Sequence, residues 1–213
     1  MKSIVKDAFI LFLITAVAGI LLALVNEVTR EPIRAQKEAQ VEAACREVFP
    51  EAAAFVDGTD PATIPAYNEW LATYPKNTVD QVYEARGEDG GYLGVVINMA
   101  SKEGYGGNIR FSMGVAADGT LNGISILETS ETPGLGLQAS DVLVPQFAGR
   151  KTESFVFVKG GGASAENEVD AISSATITTR AFVNGVNAGL EYFRMVYEGR
   201  MTENERSSVQ PAE

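Results

Sequence analysis

The chain has 213 residues, of which 46% are hydrophobic, with a formal net charge of −11 and no histidine. This length suits one membrane segment and one globular domain. The absence of histidine excludes Ser-His-Asp triads and histidine metal ligands, and the acidic balance argues against nucleic acid as a partner. The lone Cys45 excludes an internal disulfide and a cysteine-ligated iron–sulfur cluster, so we expect no metal site. If the chain moves electrons, a bound organic cofactor must carry them.

Residues 8–25 form an apolar run that reaches roughly 27 Å as a helix, close to the ~30 Å hydrocarbon core of a bilayer. This run predicts a single transmembrane helix. A cleavable signal peptide is the alternative, since Lys2 and Lys6 would provide its charged start. The same two lysines place residues 1–7 in the cytoplasm by the positive-inside rule, and the rest of the chain outside it.

Thr29-Arg30-Glu31-Pro32 has the pattern of a helix start with proline in the first turn, and we predict a stalk helix over residues 26–50. Residues 51–200 are predicted to form one folded domain, with a short helix at 62–72. The polar residues 201–213 are predicted to be a disordered tail.

Alternating strand patterns, separated by turn pairs such as Asp89-Gly90, suggest an antiparallel meander in this domain. The predicted strands are 81–85, 91–99, 108–116, 121–128 and 153–159, and a short helix is predicted at 137–147. The fold class is therefore α+β: a single N-terminal transmembrane helix followed by one mostly antiparallel sheet domain with packed helices.

The last helix is predicted over residues 178–198 from an apolar stripe at helical spacing. The stripe consists of Phe182, Val186, Leu190, Phe193 and Tyr197. It predicts the face that packs on the core. Gly185 and Gly189 leave a smooth patch where another backbone could approach closely.

Three segments beside these elements contain the residues most suited to a binding site. They are Gly104-Tyr105-Gly106-Gly107, Glu131-Thr132-Pro133-Gly134-Leu135-Gly136 and the hydroxyl-rich stretch from Asp170 to Thr179. Taken singly, the glycines indicate turns and the hydroxyls indicate a helix cap, provided by Ser173 or Ser174. The second segment also spells GxGxxA, but no βαβ unit surrounds it, so a Rossmann nucleotide site is rejected.

Together the three segments resemble the covalent-FMN domain shared by the G subunit of the Rnf electron-transport complex and the C subunit of the sodium-pumping NADH:quinone reductase. The family's Ser/Thr-Gly-Ala-Thr motif stands here as Ser173-Ser174-Ala175-Thr176, with Ser174 in place of the usual glycine. The resemblance implies that a dedicated flavin transferase attaches FMN to Thr176 through a phosphoester bond. It also implies cofactor contacts from Glu131, Thr132, Gly134, Leu135, Gly136, Ser173, Ser174, Ala175 and Thr178.

The resemblance further implies a flavoprotein subunit, anchored once in a bacterial cell membrane, that relays electrons within an ion-translocating ferredoxin:NAD oxidoreductase. Its partners would be the other Rnf subunits and the lipid bilayer, and this chain alone would hold no complete active site. The modest length favours the Rnf subunit over its longer quinone-reductase relative. A non-redox, membrane-anchored binding or scaffold domain is the alternative of a different class.

Overall fold

The computed structural model describes residues 2–70 and 74–198, so the tail predicted at 201–213 lies outside the described residues. The chain divides into two compact units. The first is Met1–Glu42 and the second is Ala43–Glu213.

Helix α1 (Lys2–Val48) contains the predicted apolar run of residues 8–25. Within the described part of the chain it is the one helix long and apolar enough to cross a membrane, and its large apolar side chains in this run are exposed. The helix start predicted at Thr29 is wrong, because α1 continues through Pro32. One proline removes a single backbone donor, and the Glu, Arg, Ala, Gln and Lys residues around it are strong helix formers.

The second unit is built on a five-stranded antiparallel sheet whose strands follow chain order. The strands are β1 (Ala54–Asp57), β2 (Asn77–Arg86), β3 (Tyr92–Ser101), β4 (Ile109–Ala116) and β5 (Leu121–Glu128). The mostly antiparallel α+β fold is confirmed. Tight turns explain the meander, since Gly90 and Gly119 adopt φ values of 78° and 88° between the paired strands. Strand β1 was not predicted, because its four residues are largely exposed and show no alternation.

Two parts of the domain differ in detail from the predictions. Strand β6 (Val156–Val158) is shorter than predicted and pairs in parallel with β7 (Glu168–Asp170), which was not predicted. The helix predicted at 137–147 consists of three consecutive helical turns. They span Gly136–Gln138, Ala139–Leu143 and Val144–Gln146.

Helix α2 (Thr63–Trp70) and helix α3 (Thr176–Phe193) complete the described elements, and a π-helical turn, Arg194–Glu198, follows α3. The apolar stripe of α3 is buried as predicted, and its residues belong to the hydrophobic core. Burying each large apolar side chain stabilises the fold by about 1.5 to 3 kcal/mol.

Two glycines allow α3 to lie close to the sheet. A Cβ at Gly185 would stand 2.9 Å from the Phe111 ring, and a Cβ at Gly189 would overlap the sulfur of Met113. The smooth patch predicted at these glycines is therefore real, but side chains of β4 fill it, where we had expected a backbone.

The opposite face of the sheet is covered by the end of α1. A Cβ at Gly94 would stand 2.7 Å from Phe49, and one at Gly114 would stand 2.8 Å from Val48. Both Val48 and Phe49 are buried, as is Cys45. The sheet is thus covered on both faces, and the loops that form the candidate site lie at one end of its strands.

Candidate functional site

The three segments singled out in the sequence lie next to one another in the fold. In an antiparallel meander the turn between β3 and β4 lies at the same end of the sheet as the end of β5. This arrangement brings the loop at 104–107 beside the segment at 131–136. Helix α3 begins against the 131–136 segment, since its residue Thr178 donates a hydrogen bond to Glu131.

Glu131 joins all three segments through its carboxylate. Its Oε1 accepts a hydrogen bond from the Gly106 N–H at 3.1 Å, and its Oε2 accepts one from the Thr178 hydroxyl at 2.6 Å. The residue is only 5% exposed. A buried carboxylate needs such donors, because an unpaired one would carry a large desolvation penalty.

The glycines of the two loops are required by close packing. A Cβ at Gly106 would overlap the Ser130 carbonyl group. A Cβ at Gly136 would stand 2.5 Å from the Glu131 carboxylate and 2.6 Å from the Thr178 hydroxyl. Any larger residue at these two positions would push the segments apart.

The second segment contains a type II turn from Thr132 to Leu135. The Leu135 N–H donates to the Thr132 carbonyl oxygen at 3.2 Å, and Gly134 has a φ of 75°. Proline at the second turn position and glycine at the third are the residues that this turn type prefers. The Pro133-Gly134 pair therefore turns Leu135 outward, where it is 40% exposed.

The start of α3 differs from the predicted serine cap. The helix begins at Thr176, with Ala175 at the cap position and no capping side chain within the described chain. Thr179 holds the preceding turn instead: its hydroxyl accepts from the Ile172 N–H at 3.1 Å and donates to the Ala175 carbonyl at 3.0 Å. Ser174 has a φ of 63°, so the chain needs a left-handed residue where the family motif has glycine.

The segments enclose a cavity of about 450 Å³, called the α3 cavity below. It is lined by Tyr105, Glu131, Thr132, Leu135, Gly136, Ser174, Ala175, Thr176, Ile177 and Thr178. This volume lies within the range of small-molecule and cofactor sites. The lining combines buried polar groups on Glu131 and Thr178 with the exposed, largely apolar side chains of Leu135, Ile177 and Tyr105, a mixture that fits a flavin.

Most of the predicted contact residues line this cavity, with two exceptions. Gly134 and Ser173 are not lining residues, although Gly134 shapes the turn beside it. Tyr105 and Ile177 line the cavity without having been predicted as contacts. Both could have been found in the sequence, because each is a large apolar residue inside a glycine-rich or threonine-rich stretch where no core position is expected.

The threonine hydroxyls of the first turn of α3 differ in their bonding. Thr178 and Thr179 are buried and hydrogen-bonded. Thr176 is half-buried and lines the cavity, and its hydroxyl has no hydrogen-bond partner among residues 2–70 and 74–198. The Thr176 oxygen is therefore the one of the three that is left available for chemistry.

Two family models match the chain. The model of the FMN-binding domain matches residues 104–191, which include all three segments, and the model of the RnfG N-terminal region matches residues 1–48. The crystal structure of NqrC from Shewanella oneidensis has the same fold, with a TM-score of 0.51 and 21% identity. That match covers 72% of this chain and 86% of NqrC.

Curated relatives match over nearly the whole chain. The G subunit of the Na(+)-translocating ferredoxin:NAD(+) oxidoreductase complex of Acetobacterium woodii is 34% identical over 91% of this chain and 93% of its own length. The G subunit of the proton-translocating complex of Clostridium ljungdahlii is 30% identical over 82% of this chain and 83% of its own length. The chain therefore belongs to the family of G subunits of ion-translocating Rnf oxidoreductase complexes, and it carries that family's FMN-binding domain behind an N-terminal apolar helix.

Proposed function

We propose that this subunit holds FMN in the α3 cavity through a phosphoester bond to Thr176. The observation that carries the proposal is the state of the Thr176 hydroxyl. Thr176 lines the cavity and its hydroxyl has no hydrogen-bond partner in the described chain, whereas the neighbouring hydroxyls of Thr178 and Thr179 are hydrogen-bonded. An acceptor for a flavin transferase has to be accessible and free of competing bonds.

The position of Thr176 also suits a phosphate group. It is the first residue of α3, and no side chain of the described chain caps this end. The N–H groups of a first helical turn lack intrahelical partners, and the positive end of the helix dipole favours an anion by about 0.3 to 1 kcal/mol. A phosphodiester on Thr176 would offer acceptor oxygens to first-turn N–H groups that lack intrahelical partners.

The rim of the cavity suits the flavin ring. Leu135, Ile177 and Tyr105 are 40%, 41% and 71% exposed, which is unusual for large apolar side chains grouped beside a cavity. A planar aromatic ring would cover the faces of Leu135 and Ile177. Bound FMN supplies chemistry that no side chain of this chain provides, because flavin accepts and donates electrons one or two at a time.

Ser174 is compatible with attachment. The residue already adopts the left-handed conformation that a glycine would take, with a φ of 63°. The motif therefore follows the same backbone path with serine as it would with glycine, at some energetic cost. Ser174 is exposed, so its hydroxyl stands clear of the buried contacts of Thr178.

We further propose that the subunit relays electrons between redox centres on other subunits of its Rnf complex, and has no complete active site of its own. Lys2 and Lys6 before the apolar run favour a cytoplasmic N-terminus, with the FMN-binding domain outside the cytoplasm. A covalent bond is an advantage there, because a tethered cofactor stays at high effective concentration whatever its affinity for the pocket.

The test is co-expression of the full chain with a flavin transferase, followed by a denaturing gel viewed for flavin fluorescence. We expect a fluorescent wild-type band and a dark Thr176→Ala band. Ser173→Ala is the matched control, since Ser173 is an exposed hydroxyl three residues away that does not line the cavity. A dark wild-type band, or a fluorescent Thr176→Ala band, would contradict the proposal.

A further inference from the structure

Glu131 is placed to act on the cofactor as well as on the fold. It follows β5, lines the α3 cavity and is 5% exposed. Each of its two carboxylate oxygens takes one donor from a different segment, the N–H of Gly106 and the hydroxyl of Thr178. Removing the carboxylate would therefore disconnect the 104–107 loop from helix α3.

No cationic side chain of the described residues pairs with this carboxylate. The ion pairs found among residues 2–70 and 74–198 involve other acidic residues, and both donors to Glu131 are electrically neutral. Neutral donors stabilise a negative charge without cancelling it. A charge in a site of low dielectric also acts over a longer distance than one in water.

The carboxylate has little freedom to move away from the cavity. A Cβ at Gly104 would stand 2.6 Å from Oε1, and one at Gly136 would stand 2.5 Å from Oε2. Backbone therefore packs against both oxygens, so that the charge is fixed in position beside the cavity.

We propose that Glu131 is a positioning residue that ties both loops to α3 and places a fixed negative charge beside the FMN ring, which lowers the midpoint potential of the flavin. The inference rests on the proposed function, since it requires FMN in this cavity. Its physical basis is that a nearby negative charge disfavours the addition of electrons, and burial without a counter-ion keeps that effect from being screened.

The experiment is a redox titration of the flavin-loaded full chain in detergent, followed by the visible absorbance of the flavin. Glu131→Gln removes the charge and keeps nearly the same shape, because the Thr178 hydroxyl can rotate to accept from the new amide. We expect its midpoint potential to shift in the positive direction. Glu128→Gln is the matched control, since the Glu128 side chain is 62% exposed and lies 3.8 Å from Arg110; its shift should be much smaller.

Glu131→Asp separates the effect of the negative charge from the effect of the hydrogen bonds to Gly106 and Thr178. The shorter side chain keeps the charge and loses reach toward Gly106 and Thr178, so its potential should stay near that of wild type while its thermal unfolding midpoint falls. A positive shift in Glu131→Asp as large as in Glu131→Gln would assign the effect to lost contacts and overturn the charge role. In a Thr176→Ala background without flavin, Glu131→Asp should lower the unfolding midpoint more than Glu128→Asp does, because only the first shortens a side chain that joins two segments. Equal midpoints would overturn the positioning role.

The two proposals fail in different ways. A flavin-loaded wild type whose potential is unchanged by Glu131→Gln, or shifted no more than by Glu128→Gln, overturns the role of Glu131 alone. A wild type that carries no flavin overturns the proposed function and this inference with it.

Discussion

Replacing Ser174 by glycine should stabilise the protein. Ser174 has a φ of 63°, and the left-handed region costs an L-residue about 1 to 2 kcal/mol relative to glycine. About 0.5 to 1 kcal/mol of this gain is offset, because glycine makes the unfolded chain more flexible than serine does. The serine hydroxyl makes no hydrogen bond to the described residues, so its removal adds no further loss. The net expectation is a gain of roughly 0 to 1.5 kcal/mol, centred on about 0.75 kcal/mol.

The assay is thermal unfolding of the detergent-solubilised full chain, expressed without a flavin transferase so that cofactor loading does not contribute. For a domain of this size, a gain of this order raises the midpoint by about 1 to 4 °C. Ser173→Gly is the matched control, because Ser173 is exposed like Ser174 but has no positive φ. It should leave the midpoint unchanged or lower it. A midpoint for Ser174→Gly at or below that of Ser173→Gly would refute the argument from backbone conformation.

Three further predictions concern packing, hydrogen bonding and pH. Gly189→Ala should lower the free energy of unfolding by about 1 to 3 kcal/mol, because the new Cβ would overlap the Met113 sulfur. Gly123→Ala is the control and should be tolerated, because nothing lies within 4 Å of a Cβ at Gly123. Asn187→Ala should lower the free energy of unfolding, measured by chemical denaturation, by about 2 to 4 kcal/mol. Asn187 accepts a hydrogen bond from the Phe155 N–H at 2.7 Å and donates one to the Phe155 carbonyl at 2.9 Å, and both would be lost. A loss no larger than that of Asn184→Ala, whose amide is only partly buried, would contradict this prediction. Hydrogen bonds from the backbone and hydroxyl of Thr120 hold the pKa of Asp118 below its ordinary value of 3.8. The ionised Asp118 therefore stabilises the fold above pH 3.8, and this stabilisation is lost as the pH falls through the lower pKa of the folded state. The unfolding midpoint of Asp118→Asn should accordingly fall less than that of wild type between neutral pH and pH values below about 4, and parallel curves would argue against it.

The sequence predicted the elements that are long or strongly periodic. The buried stripe of α3 and four strands of the main sheet follow from apolar spacing, which the core enforces directly. Strand β1 escaped prediction because it is short and mostly exposed. The unbroken course of α1 through Pro32 escaped because a proline signals a helix start locally, while the residues on both sides support one continuous helix.

At the site, the sequence predicted which segments belong together but not how they are joined. The capping role expected of Ser173 or Ser174 is wrong, because Ser174 is used for the left-handed turn and Thr179 binds the turn instead. The contact between Glu131 and Thr178 spans 47 positions and could not be read from spacing. The resemblance to a family implied that both residues contact the cofactor, and the structure adds the hydrogen bond that joins them.

The packing of Val48 and Phe49 against Gly94 and Gly114 has a practical consequence for anyone who wishes to study the flavin domain in water. A fragment that starts after Pro50 would lose the apolar cover of one sheet face and present an open groove to solvent, which favours aggregation. A fragment that starts at Ala43, the first residue of the second compact unit, would keep that cover. The last turns of α1 are therefore also the first part of the FMN-binding domain.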